Sequence, residues 1–347
     1  MAARSADRVE REAVDACPVC GEAARSVLHA ELTDRIFFCA AGTWTLYLCD
    51  GCSSAYLDPR PAGETLALAY SRYYTHSAAN GRHGKLSAVK RGFVNGYLNA
   101  RYGYAFTPAS TLGGLVLRLL PLRRERADRW VRQLALPPGA PRLLDVGCGD
   151  GAFLAQMQAA GWDVQGVDPD PAAVRRGEEA GVPVEHGALA ASTFPEGSFD
   201  AVTLSHAIEH IADPIAALRI CHRLLRPGGV LSITTPNLAS IGHSAFGRDW
   251  IGLDAPRHLV LFTPASLARA GERAGFRISP QRPSCRASWA FTASEAISRG
   301  VDPVDRPLPL SGRQQWRVRL ADLRALRRAA LAEEIVLVAT KAEIASG

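Results

Sequence analysis

The sequence predicts an α/β protein built around a mostly parallel sheet, with a small metal-binding module in front of it. Three observations support this prediction. From residue 142 onwards, short apolar strands alternate with helical stretches at the spacing of βαβ units. The first of these strands runs into a glycine-rich turn, and two Cys-x-x-Cys pairs lie near the N-terminus.

The composition excludes several classes of protein. The chain has 347 residues, of which 47% are hydrophobic and 21% charged. It can therefore bury a sizeable core, and it is neither collagen-like, wholly disordered nor a small disulfide-stapled domain. The richest apolar stretch, 111–122, is interrupted by Arg118 and is too short for a transmembrane span. Charges occupy the N-terminus where a signal peptide has an apolar segment, so we expect a cytoplasmic protein.

The two Cys-x-x-Cys pairs predict a zinc site. Cys17 and Cys20 form the first pair, and Cys49 and Cys52 form the second. Without a secretory signal such pairs indicate metal binding before disulfides, and four thiolates complete the closed shell of a structural Zn²⁺. The alternative is two unrelated reduced turns; a redox pair is disfavoured because neither lies between a strand and a helix. Cys39 is expected to be a small buried side chain rather than a substitute ligand.

The positive charge of the chain is concentrated in one segment. The net charge is +6. No acidic residue lies between Glu64 and Glu125, where nine basic residues occur, so the remainder of the chain is net acidic. The field is therefore local, and it does not by itself indicate a nucleic-acid partner.

After a break at Pro137-Pro138-Gly139, strands and helices alternate regularly. The predicted strands are 142–146, 163–168, 182–186, 200–205 and 229–235, and the predicted helices between them are 152–161, 172–181 and 214–225. A further helix and a sixth strand are predicted within 264–278. The closing strand is EEIVLVATK, residues 333–341.

The turn after the first strand is the strongest signal in the sequence. Asp145 is followed by glycines at 147, 149 and 151, which let the backbone turn sharply and let a ligand approach the next helix closely. This pattern resembles motif I of the class I S-adenosylmethionine (SAM)-dependent methyltransferases. Three later segments match that family in order: GVDPD, FDAVTLSHAIEH and LLRPGGVLSITTPN. The resemblance covers about residues 126–280 and resumes at 333–341. Within the family, the sequence most resembles the ubiquinone-biosynthesis-like, type 11–23 group of methyltransferases.

The resemblance implies a Rossmann-like sheet with an antiparallel last strand and SAM as cofactor. Asp145 and the glycine turn would hold the methionine end of SAM, and Asp168 would accept hydrogen bonds from both ribose hydroxyls. The adenine would lie near residues 186–189, where this sequence lacks the acidic residue that many relatives carry. The residues implied to bind the cofactor are Asp145, Gly147, Cys148, Gly149, Gly151, Asp168, Pro169, Ala188, Leu189, Ser205 and His206.

The stretch His206-Ala-Ile-Glu209-His210 matches two different patterns. H-x-x-E-H is a zinc-peptidase signature, but a peptidase needs it inside a helix, and here it follows directly on a strand. The methyltransferase resemblance instead puts His206 near the SAM sulfonium and makes it a candidate base. We interpret Glu209 and His210 as a polar cluster at a helix start; the alternative is a divalent cation, as in O-methyltransferases of ubiquinone biosynthesis.

A long loop follows the fifth strand. Residues 236–263 are too many for a plain connection, and loops at the carboxyl ends of strands bind substrate in open α/β sheets. The loop resembles a segment of bacterial methyltransferases found with sugar and cell-envelope pathways. The expected catalytic residues are His206, His258 and Asp254, and the expected substrate contacts are His210, Trp250, Arg257 and Tyr74. Alternatively, Arg257 and Asp254 pair only to pin the loop.

An insertion, residues 280–333, precedes the last strand. Its arginine-rich stretch 313–331 is predicted to form a helix. The face expected to dock on the protein, rather than on a membrane or RNA, consists of Trp316, Leu320, Leu323 and Leu326.

The chain is expected to have three parts: a zinc-binding module (1–60), a helical basic linker that covers the substrate (61–138) and a SAM-binding domain (139–347). The expected reaction is in-line transfer of the SAM methyl group to a hydroxyl of a small molecule, sugar or glycan, with a histidine removing the proton. The basic cover suits an anionic or nucleotide-linked acceptor.

Other functions stay open at this point. One is an RNA base methyltransferase that uses the zinc module and the basic segment. Others are C- or N-methylation of a natural-product or sugar intermediate, and a non-enzymatic SAM-fold binding module. A nucleic acid is not the expected partner, no transmembrane segment is expected, and peripheral membrane contact and the oligomeric state are left open.

Overall fold

The structure, a computed structural model, describes residues 9–71, 88–304, 308 and 310–343. Tyr74, which was expected to contact the substrate, lies outside the described residues. In chain order the strands are β1 (Arg11–Glu12), β2 (Arg25–Leu32), β3 (Trp44–Cys49), β4 (Ala55–Leu57), β5 (Arg60–Pro61), β6 (Arg142–Val146), β7 (Asp163–Asp168), β8 (Val184–His186), β9 (Phe199–Ser205), β10 (Leu225–Pro236), β11 (Val260–Leu261), β12 (Phe276–Ile278) and β13 (Glu334–Lys341). The α-helices are α1 (Gly63–Ala69), α2 (Ala88–Tyr102), α3 (Thr111–Arg118), α4 (Pro121–Trp130), α5 (Ala152–Ala159), α6 (Pro171–Glu179), α7 (Pro214–Leu224), α8 (Ile241–Phe246), α9 (Pro264–Arg273), α10 (Ala287–Ser298) and α11 (Gly312–Arg327).

A seven-stranded sheet with the order β12-β13-β10-β9-β6-β7-β8 organises the chain after residue 142. The neighbours from β10 through β8 are parallel. β13 inserts between β10 and β12 and is antiparallel to both. The predicted fold class, a mostly parallel sheet with an antiparallel last strand, is therefore confirmed.

Helices cover both faces of this sheet. On one face, α7 and α9 bury Leu218 and Leu267 against the strands. On the other face, α5 packs through Leu154, and α2 adds a further layer through Tyr97 and Leu98. The basic segment before the sheet thus belongs in part to the same core as the sheet.

The N-terminal strands form a second sheet that the main domain completes. Its order is β11-β4-β3-β2, and every neighbouring pair is antiparallel. β11 comes from the long loop after β10, where Val260 pairs with Tyr56 and Leu261 with Ala55. The metal-binding module and the long loop therefore share one sheet.

The arginine-rich helix of the insertion, α11, contacts the protein by a different face from the one predicted. Val318, Ala321 and Ala325 are buried. The exposed apolar side chains are Trp316, Leu320 and Leu323. The predicted docking face was therefore wrong: the small alanines allow a close approach to α10 and α4, and the larger side chains face outward.

Arg257, in the long loop, ties the N-terminal module to the rest of the chain. Its guanidinium is fully buried, and Nη2 donates to Oδ1 of Asp34 and to Oδ1 of Asp254, both at 2.6 Å. Nη1 donates to Oδ2 of Asp34 and to the carbonyl oxygen of Ala69, both at 3.0 Å. Burial raises the pKa of Asp34, but the hydrogen bonds and charge of Arg257 outweigh burial and hold that pKa well below its usual range.

Replacing Asp34 with alanine is expected to lower the free energy of unfolding by about 3–5 kcal/mol, because the buried Arg257 charge loses one of its two carboxylates. The matched control, Glu196→Ala, removes an exposed pair with Arg223 and is expected to change this free energy by less than about 1 kcal/mol. Chemical denaturation of both variants measures the difference. Equal, small changes in the free energy of unfolding of both variants would show that Arg257 does not hold the N-terminal module against the rest of the chain.

Candidate active site

Three glycines in the left-handed region shape the turn between β6 and α5. Gly147, Gly149 and Gly151 have φ values of 71°, 57° and 72°, a conformation that residues with a Cβ rarely adopt. A Cβ on Gly151 would also lie 2.9 Å from the side chain of Val182. The turn therefore brings bare backbone to the start of α5, where a ligand can approach closely.

Asp168, at the end of β7, faces this turn. Its Oδ2 accepts a hydrogen bond from the N–H of Gly149, and its Oδ1 accepts one from the N–H of Asp170, both at 2.9 Å. Burial raises the pKa of Asp168. The carboxylate thus lies beside the glycine turn, at the position that the resemblance implies for the ribose.

Asp145 is fully buried, and one of its oxygens has no hydrogen-bond partner among the described residues. Oδ1 accepts hydrogen bonds from Nη1 of Arg132 and, at 2.6 Å, from Oγ1 of Thr203; Oδ2 is the unpartnered atom. A buried polar atom of this kind costs free energy, and the ammonium group of a bound methionine moiety would satisfy it. Sequence reasoning missed Arg132, which no motif distinguishes from the other arginines of its segment.

Two of the residues predicted to bind the cofactor direct their side chains into the core. Cys148 and Leu189 are buried, and burial raises the pKa of the Cys148 thiol. Both side chains belong to the hydrophobic core around the large sheet. The remaining predicted residues at this edge are Pro169, Ala188 and Ser205.

His206, directly after β9, lies between two carboxylates. Nδ1 is 3.5 Å from Oε1 of Glu209, and Nε2 is 3.3 Å from Oε1 of Glu334. Burial lowers the pKa of His206, but the two carboxylates outweigh burial and raise it to about 10. An imidazolium has no lone pair with which to accept a proton. The two carboxylates therefore favour the protonated form of His206.

His258 contacts a backbone carbonyl. Its Nδ1 lies 2.8 Å from the carbonyl oxygen of Gly252, and because a carbonyl only accepts, Nδ1 carries a hydrogen. Oδ2 of Asp254 is 3.8 Å from Nε2. The carbonyl contact selects the tautomer of the neutral ring in which Nε2 holds the lone pair.

Arg257, one of the predicted substrate contacts, directs its side chain to other groups of the protein. Its donors go to protein groups, and its side chain is fully buried. Oδ1 of Asp254 is likewise occupied by Arg257, which leaves only Oδ2 toward His258. The alternative interpretation, in which Arg257 and Asp254 pin the loop, is the one that the structure supports.

A cavity of about 340 Å³ lies at the carboxyl ends of β9 and β10. Its lining includes His206, Trp250, His258, Trp289, Glu333 and Glu334. Glu333 accepts hydrogen bonds from the N–H of Gly242 at 2.8 Å and from Nε1 of Trp250 at 3.2 Å, and burial raises its pKa to about 7. Sequence reasoning missed Trp289 and both glutamates; two adjacent acids before an apolar strand were the available signal.

Glu209, His210 and His258 form a second cluster. Each offers a ligand atom within 4.8 Å of the others. Nδ1 of His210 lies 2.8 Å from the Tyr70 hydroxyl and 3.1 Å from the Arg257 carbonyl oxygen. Burial lowers the pKa of His210 to about 4, so its ring is neutral. His210 is not among the described residues that line the cavity of about 340 Å³.

The four thiols of the Cys-x-x-Cys pairs converge on one point. Sγ of Cys17 is 3.6 Å from Sγ of Cys52, and Sγ of Cys20 is 3.5 Å from Sγ of Cys49. All four sulfur atoms lie within 4.8 Å of one another. Sulfur atoms around a tetrahedral Zn²⁺ with bonds of about 2.3 Å are about 3.8 Å apart. The residues present therefore fit such an ion.

Comparisons with known proteins match the segment that contains six of the seven strands of the large sheet. A family model described as a methyltransferase domain matches residues 115–281. The ubiquinone biosynthesis O-methyltransferase of Bordetella avium is 32% identical over 177 residues, which are 47% of this chain and 71% of that protein. The enzymes of the same name from Ralstonia nicotianae and Xanthomonas axonopodis pv. citri are each 33% identical, over 45% and 41% of this chain and 66% and 65% of theirs.

Solved structures also align with this chain. A SAM-dependent methyltransferase from Mesorhizobium loti aligns with a TM-score of 0.43 and 19% identity, over 62% of this chain and 98% of that chain. The [4+2]-cyclase SpnF aligns with a TM-score of 0.45 and 21% identity, over 74% of this chain and 95% of that chain.

The relatives and the structure agree on the family to which the chain belongs. The Bordetella protein exceeds 30% identity and is matched over more than two thirds of its length, and the family model covers the glycine turn, Asp168 and His206. With a sheet of the expected strand directions around these residues, the chain belongs to the class I SAM-dependent methyltransferases.

Proposed function

We propose that this methyltransferase transfers the methyl group of SAM to a hydroxyl of a small molecule held in the cavity beside His206. The position of the cavity carries the proposal, since it borders the carboxyl ends of β9 and β10, the edge at which open α/β sheets bind ligands. The relatives named above as O-methyltransferases favour oxygen as the attacking atom. SAM, when bound, supplies an activated methyl group, and the residues of the chain align the partners and exclude water.

The cofactor in this proposal is held by backbone and two carboxylates. Asp168 accepts hydrogen bonds from the ribose hydroxyls, and the unpartnered Oδ2 of Asp145 accepts one from the ammonium group. Arg132 and Thr203 keep Asp145 in place from its other oxygen. The glycine turn lets the backbone of residues 147–151 lie against the ligand.

Asp168→Ala is expected to weaken SAM binding by about 1.5–3 kcal/mol, because two hydroxyls lose a charged acceptor. Asp163→Ala is the matched control: it removes an exposed carboxylate from the first residue of the same strand and should leave the affinity unchanged. Isothermal titration calorimetry with SAM and S-adenosylhomocysteine measures both. Equal affinities for wild type and Asp168→Ala would remove Asp168 from the site.

In the mechanism we propose, His258 rather than His206 takes the hydroxyl proton. Nε2 of His258 keeps a lone pair because Nδ1–H is bound by the Gly252 carbonyl, and the carboxylate of Asp254 stabilises the imidazolium that forms. His206 keeps its positive charge between Glu209 and Glu334 and positions the end of β9. This assigns the base to the second of the two predicted histidines.

Single-turnover methylation at saturating SAM tests this assignment, with an acceptor found by a SAM-consumption screen over nucleotide sugars and phenols. His258→Ala is expected to lower the rate about 10²–10⁴-fold with little change in SAM affinity. His206→Gln should preserve the pH dependence of the rate, and His222→Ala, on α7 away from the cavity, serves as the control. If His258→Ala and His206→Gln both keep more than about a third of the wild-type rate, a histidine base is excluded.

The cluster of Glu209, His210 and His258 favours a second arrangement, in which a divalent cation binds there and orients the acceptor. A chelator distinguishes the two arrangements. An activity lost with EDTA and restored by Mg²⁺ would assign His258 to the cation, whereas an unaffected rate would leave it as the base. The four-thiolate site serves as an internal reference, because Mg²⁺ does not replace zinc at thiolate ligands.

The lining of the cavity favours a neutral, hydroxyl-rich acceptor. Glu333 and Glu334 can accept hydrogen bonds from hydroxyls, and Trp250 and Trp289 offer flat apolar surfaces. A sugar or glycan hydroxyl suits this combination of hydrogen-bond acceptors and flat apolar surfaces.

We further propose that Cys17, Cys20, Cys49 and Cys52 hold a structural Zn²⁺. The convergence of the four sulfur atoms supports this, and such a shell leaves no position for chemistry. Because β4 of this module pairs with β11 of the long loop, the ion would also support the wall of the cavity.

Elemental analysis is expected to find about one zinc per chain, lost in Cys17→Ser and Cys49→Ser and retained in the control Cys39→Ser. Since a structural zinc contributes to folding, its removal should lower the thermal midpoint and loosen the long loop together with the N-terminal module. Full zinc content in the first two variants would contradict the four-thiolate site.

A further inference from the structure

Helix α3 directs most of its large apolar side chains outward and its two glycines toward the protein. Gly113, Gly114 and Leu117 are buried, whereas Leu112 and Leu119 are 71% and 81% exposed. The exposed apolar residues of this surface are Leu112, Leu115, Val116, Leu119 and Leu120. A surface helix of a globular protein ordinarily has its apolar stripe on the core side. The pattern in α3 is the reverse.

Close packing of backbones fixes this orientation. A Cβ on Gly114 would lie 2.8 Å from the backbone of Gly96 in α2, and a Cβ on Gly113 would lie 2.3 Å from the ring of Phe93. The hydroxyl of Ser110 caps the start of α3 by accepting the N–H of Gly113 at 3.0 Å. The helix therefore cannot turn its leucines inward without separating from α2.

The exposed charges around α3 are positive. Between residues 88 and 130 the only acidic side chains are Glu125 and Asp128, and both are buried. Glu125 lies 3.4 Å from Arg129, and Asp128 accepts the hydroxyls of two tyrosines. The exposed basic residues include Lys90, Arg91, Arg118, Arg123 and Arg126.

An open cavity of about 820 Å³ lies beside α3, between α2 and α4. Its lining is largely apolar and includes Phe93, Val94, Phe106, Val116, Leu120 and Trp130. Lys90, Arg91, Arg123 and Arg126 also border it. The apolar surface and the basic residues are therefore parts of one region.

Helix α11 has the same inverted arrangement and, like α3, packs against α4. Its buried face consists of alanines and Val318, and Trp316 is 63% exposed together with Leu320 and Leu323. Arginines at 313, 317, 319, 324 and 327 flank these side chains. Two helices that pack against α4 thus share the combination of exposed apolar side chains and positive charge.

We propose that α3 and α11 form a docking surface for a bilayer that carries anionic lipids. Leucine and tryptophan side chains enter the boundary between headgroups and acyl chains, and the arginines contact lipid phosphates. Within the described part of the chain no helix is long and apolar enough to cross a membrane, so the contact is peripheral. A second copy of this chain would bring like charges together, and RNA would leave the leucines uncovered.

Helix α4 connects the proposed docking surface to the proposed SAM site. α4 ends at Trp130, which borders the apolar cavity, and Arg132 then contacts Asp145 in the proposed SAM site. The docking surface is nonetheless independent of the acceptor, and its test needs no methylation assay.

Vesicle co-sedimentation of the full chain tests the proposal. Vesicles of equal parts phosphatidylcholine and phosphatidylglycerol should bind the protein at least about tenfold more tightly than pure phosphatidylcholine. Leu112→Ser/Leu115→Ser/Leu119→Ser should lower that affinity at least about tenfold, and Arg118→Gln/Arg123→Gln should lower it about fivefold per charge. Val27→Ser/Phe38→Ser, which removes exposed apolar side chains from the N-terminal module, should bind like wild type.

Three outcomes would overturn the proposal. The first is no binding of wild type to the anionic vesicles, and the second is wild-type binding by both the leucine and the arginine variants. The third is a wild-type dimer, seen by analytical ultracentrifugation, that the leucine substitutions dissociate, because a second copy would then cover the face. Calorimetry with SAM shows whether each variant is folded. If the leucine variant is not folded, the vesicle binding of the arginine variant tests the proposal.

Discussion

The buried guanidinium of Arg257 is the interaction on which the rest of the site depends. It lies between Asp34 of the N-terminal module and Asp254 of the long loop, out of contact with solvent. A buried charge that loses a partner is strongly unfavourable, so the module and the loop are stable mainly when they are together. The loop then has one position relative to the sheet, and Trp250 and His258 are placed at the cavity as a consequence.

Neighbouring groups give the two cavity histidines different surroundings. His206 lies between the carboxylates of Glu209 and Glu334, which raise its pKa. Nδ1 of His258 contacts the backbone carbonyl of Gly252. One side of the cavity thus has a histidine between two carboxylates, and the other has a histidine whose ring a backbone carbonyl orients. Glu333, whose pKa burial raises to about 7, adds a carboxylate whose charge is sensitive to pH in the neutral range.

The features that the sequence predicted are local ones. The strand and helix pattern, the glycine turn and the Cys-x-x-Cys pairs each depend on residues a few positions apart, and each has a distinctive composition. The position of His206 followed from its place after a strand, but its protonation state depends on Glu334 at the start of the last strand. Arg132 beside Asp145 and β11 beside β4 join distant segments without any motif that marks the pair.

The orientation of α11 shows a second limit of prediction from the sequence. An apolar stripe at helical spacing predicts that the apolar residues share one face of the helix, and such a face is expected to lie against the protein. In the structure the alanines make the close contact and the larger side chains face outward. Periodicity alone does not distinguish these two cases, because both produce the same spacing of apolar residues. The pairing of small residues on one face with large apolar residues and arginines on the other is the feature that separates them.

If the metal module, Arg257 and the long loop form one cooperative unit, loosening one part must loosen the others. Hydrogen exchange measured by mass spectrometry on wild type and Asp34→Asn tests this directly. The expected result is faster amide exchange in both β4 and residues 250–262, with the protection of β6 and β7 unchanged. Unchanged exchange in residues 250–262, despite faster exchange around residue 34, would show that the loop holds its position without the ion pair between Asp34 and Arg257.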